Sequence, residues 1–157
     1  MNSKPQCTFI EAKKKLEAYC AYQERCHKEV VSKCWDLGQK QIEIDEIVSY
    51  LINSNFLNEE RYACSFARGK HRIKSWGKIR IVNELKFKNI SSRNITRALK
   101  EISEDEYLET FEKLSARIWE SITEKNQTKK RKKFCDYLLR KGFESDLIYQ
   151  KVKALEQ

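Results

Sequence analysis

Arg61, Arg68 and Arg72 recur at steps of seven and four residues, which returns a helical side chain to nearly one line. Arg93, Arg97 and Lys100 repeat the pattern at i, i+4 and i+7, and Lys129-Lys130-Arg131-Lys132-Lys133 is an unbroken basic run. From Arg68 to Lys100 there are eleven Lys or Arg residues, including Lys74, Lys78, Arg80, Lys86 and Lys88, against one acid, Glu84. Cations at that density suit one kind of chemistry, the binding of a polyanion with release of its counterions. A surface that serves only solubility mixes signs. Here the helix equivalent to that of Arg93 carries Glu43, Asp45 and Glu46 in an earlier copy, so the charge is placed and not spread evenly. The Lys129–Lys133 run opens a helix, where positive charge opposes the macrodipole. A phosphate backbone outside the helix is the expected counterpart.

Other chemistry finds little support in the residues. The two histidines, His27 and His71, have no evident triad partners, and no phosphate-cradling glycine loop or nucleophile elbow is present. The acidic stretch from Glu101 to Glu112 lacks His and metal-ligand spacing. The expectation is a protein without catalysis, cofactor or metal. Cys20, Cys26, His27 and Cys34 form the nearest approach to a zinc set, but their spacing matches no standard site. Packing explains Cys34 better, because a buried thiol behaves as a small hydrophobe. With Cys7, Cys64 and Cys135 these read as reduced thiols of a cytoplasmic protein. No apolar run reaches membrane-spanning length and the N-terminus lacks a signal-peptide core. A net charge of +9 makes nucleic acid the leading partner, ahead of an anionic membrane surface or an acidic protein face.

The elements that must carry these charges repeat. Ile44, Ile47, Val48 and Leu51 share their spacing with Ile95, Ala98, Leu99 and Ile102, and with Ile148, Lys151, Val152 and Leu155. The same alignment superposes Gly38, Asn89 and Gly142, residues suited to the left-handed turn that ends a helix. Cys34, Leu85 and Leu138 precede these stops by four residues, and Val30, Ile81 and Phe134 lie four earlier again. The pattern predicts an all-α chain of three tandem three-helix units, over residues 1–57, 58–102 and 103–157, in an elongated or curved array. Thr8 with Glu11 and Ser103 with Glu106 read as capping boxes. Tyr62, Phe66 and Ile73 mark an apolar stripe on the first helix of the middle unit. Trp35, Trp76 and Trp119 are expected to pack. The Lys125–Lys133 connection reads as the flexible piece, or as part of one longer helix.

The segment Phe56-Leu57-Asn58-Glu59-Glu60-Arg61-Tyr62-Ala63, followed by Trp76-Gly77-Lys78, Ile81, Glu84-Leu85 and Asn89-Ile90, resembles the RecX regulatory proteins. Arg25, Glu29-Val30, Gly38 and the Ile44 to Leu51 face are similar to that family's opening motif, and Lys141-Gly142-Phe143 to its later stop. His27, Cys34 and Asn89 depart from the pattern, standing where a small hydroxyl residue, Leu and Gly are usual. The resemblance implies tandem three-helix repeats that bind the RecA recombinase, lodge along the RecA–DNA filament and suppress strand exchange, ATP hydrolysis and co-protease action. It thus implies a role in DNA repair and control of the SOS response.

On that reading the basic residues named above face the filament, with weak, sequence-tolerant contact to single- or double-stranded DNA by a monomer. A helix-turn-helix-like transcription regulator is the alternative, because Ser91-Ser92-Arg93-Asn94 could open a recognition helix. A scaffold for an acidic protein is a third.

Overall fold

The computed structural model describes residues 7–157, and α-helix is the only regular structure among them. The order is α1 (Phe9–Tyr22), α2 (His27–Asp36), α3 (Gln41–Asn53), α4 (Glu59–Lys74), α5 (Lys78–Phe87), α6 (Ser92–Leu99), α7 (Glu104–Ser121), α8 (Gln127–Lys141) and α9 (Ser145–Leu155). Helix starts follow cap chemistry. The side chains of Thr8, Asn58, Ser91, Ser103 and Asn126 each accept a hydrogen bond from a backbone amide of the first turn. Gly38, Asn89 and Gly142 have φ of 77°, 62° and 96°, so all three expected stops adopt the left-handed turn.

Several expectations need correcting. Thr8 and Glu11 form a reciprocal capping box, but at Ser103 only half of one exists, because the Glu106 carboxylate turns to Arg72 at 2.8 Å. The Lys125–Lys133 stretch is neither a long connection nor a continuous helix. Asn126 caps α8 there, and helix begins at Gln127. The end of α6 comes at Leu99, and Ile102 is held by its amide on the Leu99 carbonyl at 3.2 Å. Ile73 lies on the predicted stripe yet is 79% exposed. Tyr62 is covered, but the stripe runs past the edge of the packed elements before it reaches Ile73.

The aligned apolar positions fill the interior. Val30, Cys34, Ile81, Leu85, Phe134 and Leu138 are all wholly buried, as are Ile47, Ala98 and Ile148 on the third helices of each trio. Two cores result. Ala12, Leu16, Cys20, Val30, Cys34, Ile44, Ile47, Leu51 and Leu57 form one within α1–α3. The other runs unbroken through α4–α9, from Tyr62 to Val152, with Cys26 inserted from the first trio. Ala63, Ala67 and Ala98 are small enough to let α4 and α6 approach closely, and this is the most extensive helix pairing. Burial pushes the Cys34 thiol up to about 11, so it stays neutral and acts as a core residue. The Cys26 thiol lies in the other core and donates to Glu29 Oε1 at 3.2 Å.

The second and third trios meet backbone to backbone. The Gly77 amide donates to the Lys141 carbonyl at 2.7 Å and the Ile79 amide to the Gly142 carbonyl at 3.0 Å. The open amides of α5 are thereby satisfied by the open carbonyls of α8, and the two helix dipoles meet head to tail. A Cβ on Gly77 would lie 2.3 Å from both C and O of Gly142, so only glycine permits this approach. Tyr107 seals the joint. Its hydroxyl donates to Glu144 at 2.7 Å and accepts the Lys78 amide at 3.1 Å, while its ring stacks on buried His71. His71 Nδ1 lies 2.9 Å from the Trp76 carbonyl, which requires the proton on that nitrogen. Arg72–Glu106 at 2.8 Å ties α4 to the start of the third trio, and Arg68–Glu101 at 3.1 Å ties it to the turn just before that start. The first trio is joined more lightly, by Arg61–Glu24 at 2.6 Å, His27–Glu59 at 3.4 Å and Lys28 to the Phe87 carbonyl at 3.1 Å.

Gly77→Ala should therefore destabilise the protein by roughly 1–3 kcal/mol or more, the usual range for overpacking against atoms that cannot move aside. Gly69→Ala is the control. A Cβ there meets nothing within 4 Å, and the substitution should stabilise by about 0.5–1 kcal/mol through helix propensity alone. Urea midpoints of the two variants check both signs.

Acid should loosen the joint. Hydrogen bonds from Arg68 and Arg72 hold the Glu101 and Glu106 carboxyls below their ordinary value of 4.5. Their contribution is complete above the unfolded value and is lost as pH falls through the lower folded values. Thermal midpoints should stay level from neutrality to about pH 5 and then fall. Arg68→Gln/Arg72→Gln should start lower and fall less steeply over the same acid range.

Candidate nucleic-acid and partner interface

Helix α6 divides its faces sharply. Ile95 and Ala98 are buried, while Arg93, Thr96, Arg97 and Lys100 line a shallow concavity of ≈410 Å³ on the outer side with Ser92. Among the described residues no acid pairs with Arg93 or Lys100. Arg97 is held by Glu60 at 3.7 Å and Glu101 at 3.0 Å. Two uncommitted cations, two hydroxyls and a fixed guanidinium at one concave surface can take a phosphate and position the next one.

The Arg61, Arg68 and Arg72 line behaves differently. Each guanidinium pairs with an acid from another element, Glu24, Glu101 and Glu106 respectively, and Arg61 also reaches the carbonyls of Asn55 and Phe56. Arg61 and Arg72 hold trios together, and Arg68 holds α4 to the turn that ends its own trio. Lys78 lies 3.6 Å from Glu104 and Lys88 3.9 Å from Glu29. Arg80 lies over the Trp76 ring at 4.0 Å and donates to the Arg140 carbonyl. Lys74 and Lys86 have no acidic partner among the described residues.

The Lys129–Lys133 run is partly compensated within the chain. Arg131 forms a two-pronged pair with Glu156 at 2.9 and 2.8 Å, Lys132 reaches Asp136 at 2.8 Å and Lys133 reaches Glu124 at 3.4 Å. Lys130 sits over the Trp119 ring at 4.2 Å, and Lys129 has no acidic partner among the described residues. Of the basic residues singled out in the sequence, those without an acidic partner among the described residues are Lys74, Arg80, Lys86, Arg93, Lys100, Lys129 and Lys130. Trp76 and Trp119 pack edge-on against Phe66 and Phe134, as expected. Trp35 does not, being 52% exposed, because it lies about 100° round α2 from buried Cys34.

A cavity between the first and second trios was not foreseen from the sequence. It has a volume of ≈460 Å³, with Glu24 and Glu29 on one wall and Tyr62, Phe66, Trp76 and Glu84 on the other. The signal was present in Glu84, the lone acid of the basic segment. Its meaning depends on a wall contributed by another trio.

Residues 58–99 match the second three-helix domain of RecX, and residues 104–152 match the third. The regulatory protein RecX of Bacillus cytotoxicus is 26% identical over 156 residues, covering 99% of this chain and 56% of that protein. The regulatory protein RecX of Lactococcus lactis subsp. cremoris is 30% identical over 116 residues, covering 73% and 43%. The chain thus spans about half the length of the curated relatives it matches. The crystal structure of RecX from Lactobacillus salivarius superposes with a TM-score of 0.79 at 26% identity, covering 94% of this chain and 96% of that one. A second crystal structure, of a regulatory protein RecX, gives a TM-score of 0.78 at 21% identity over 93% of this chain and 73% of that one, a likeness of fold. Two consecutive family domains, on a chain whose helices follow a solved member almost end to end, make this protein a member of the RecX family.

Proposed function

We propose that this chain regulates the RecA recombinase by binding its filament on DNA and restraining it, so that strand exchange, ATP hydrolysis and co-protease action all fall. Family membership supports a regulatory role. The observation that carries the contact surface is the exposed α6 strip, where Arg93 and Lys100 stand free of any acid among the described residues and share one concavity with Arg97. In this reading the strip meets the phosphate backbone within the filament. Lys74, Lys86 and Lys129 extend the same attraction, and the three trios, residues 1–57, 58–102 and 103–157, follow the filament as successive units. Contact through phosphates fixes position without reading sequence. Binding to free DNA is then weak, sequence-tolerant and steep in salt. A cytoplasmic location and a monomeric state fit this role.

The test separates binding from fold. Arg93→Glu/Lys100→Glu removes no ion pair among the described residues and replaces no buried side chain, so its melting temperature should match the parent's. RecA ATP hydrolysis on single-stranded DNA, measured with substoichiometric amounts of this protein, should be inhibited at least fivefold less well, about 1 kcal/mol of interface energy. Its salt dependence on free DNA should also be shallower, by roughly one unit of logarithmic slope for each phosphate that the variant no longer neutralises. Ala98→Asp places a charge in the core and should unfold the trio instead. If the double Glu variant inhibits as fully as the parent, the α6 strip is only solvated and the proposed surface is wrong.

A further inference from the structure

We propose that the cavity between the first and second trios receives an arginine side chain of a protein partner, whose backbone runs over Gly69 along α4. The first observation is the course of one helix line. Tyr62, Phe66, Gly69 and Ile73 fall at steps of four, three and four residues. Tyr62 is buried, Phe66 is half-buried and Ile73 is 79% exposed. A shelf of ≈220 Å³ lies along the exposed end, and it shares Ser65, Phe66 and Lys70 with the cavity, so the two form one trough. Gly69 sits on that shelf in the middle of α4, where glycine weakens a helix. No described residue lies within 4 Å of where its side chain would start, in contrast to Gly77, whose neighbours leave no room for one. A flat position with no internal cause is what close approach by another backbone requires.

The second observation is the sign of the cavity. On a chain of net charge +9 its lining holds Glu24, Glu29 and Glu84 against Lys70 and Lys88. Glu24 Oε1 accepts from Arg61, but Oε2 is buried with no partner among the described residues. Glu84 is half-buried and has no ion pair among the described residues. The adjoining rings of Phe66 and Trp76 stand edge to face at 6.1 Å, and Trp76 already draws Arg80 and Lys70 to within 4.0 and 5.1 Å. Glu29 is engaged by Arg25 and Lys88, but Glu24 and Glu84, with spare acceptor sites beside aromatic faces, fit a guanidinium, which is planar, weakly hydrated and rich in fixed donors. They repel phosphate. The occupant is therefore a protein side chain and the nucleic acid lies elsewhere.

The arginine pocket can be tested without DNA or recombinase, so its failure and that of the filament reading are distinguishable. N-acetyl-arginine amide is titrated into the ¹⁵N-labelled protein, with N-acetyl-citrulline amide as the uncharged isostere. The Trp76 indole N–H should shift and saturate with the arginine probe alone, while the Trp35 and Trp119 indoles stay still. Glu84→Gln should raise the apparent Kd at least fivefold and leave the amide spectrum otherwise unchanged. No response at Trp76, an equal response to citrulline, or full binding by Glu84→Gln overturns the pocket. A shift of Trp76 by a single-stranded oligonucleotide in place of the arginine probe overturns it too, making the trough a nucleic-acid site. The second arm, on the shelf, rests on the filament reading. Gly69→Leu projects into open space, so it should melt no lower than the parent and bind free DNA as well. It should nevertheless inhibit RecA at least fivefold less. Full inhibition by Gly69→Leu overturns the docking path over α4.

Discussion

The meeting of α5 with α8 is the constraint on which the remainder of the molecule depends. A helix start leaves amides unsatisfied and a helix end leaves carbonyls unsatisfied, and each is costly to bury alone. Here the two deficits cancel, through Gly77 on Lys141 and Ile79 on Gly142. The approach is possible only because both residues at the contact, Gly77 and Gly142, lack a side chain. With those backbones fixed, Phe143 can pack its ring, tilted, against Tyr107 and Phe111, and the second and third trios share one interior. The α6 strip is displayed by α4, which this shared interior holds in place. Its geometry is therefore set far from its own residues.

Charge in this protein does two kinds of work. Arg61, Arg68, Arg72, Arg97 and Arg131 reach acids across element boundaries and act as struts. Exposed pairs of this kind are individually weak. Their value lies in orientation, since planar guanidinium groups fix the angle between two helices as well as the distance. The cations left over are mostly lysines, with Arg93 and Arg80 beside them. A flexible, strongly hydrated ammonium suits a partner whose phosphates need not match one geometry. The division between strut and free cation thus follows the division between arginine and lysine to a useful degree.

What was legible in the sequence was local and periodic. The left-handed stops at Gly38, Asn89 and Gly142 could be read because few residues enter that conformation cheaply. The buried ladder of Val30, Cys34, Ile81, Leu85, Phe134 and Leu138 could be read because it repeats in step with those stops. Ion pairing was not legible, since the acids that pair with the basic segment, Glu29, Glu60, Glu101, Glu104 and Glu106, come from outside it. Counting eleven cations against Glu84 overstated how many are free. Ile73 and Trp35 were misplaced because helical spacing says which residues share a face and not where the neighbouring helices stop covering it. The cavity was invisible for the same reason, as its walls belong to separate trios.

The unequal partition of the two interiors also has a consequence during synthesis. All residues of the first core, Ala12 to Leu57, emerge from a ribosome before the second trio does, so α1–α3 can close as soon as they are free. The second core must wait. Leu138, Phe143, Ile148 and Val152 leave last of this core, and until then α4 and α5 carry Ala67, Ile81 and Leu85 in an interior that is still incomplete. At translation rates of about 5–20 residues per second that interval lasts some seconds. The basic charges of the middle trio are on the nascent chain throughout it. Like-charged neighbours repel one another, and the segment that waits longest for its partner helices is also the one best protected against self-association.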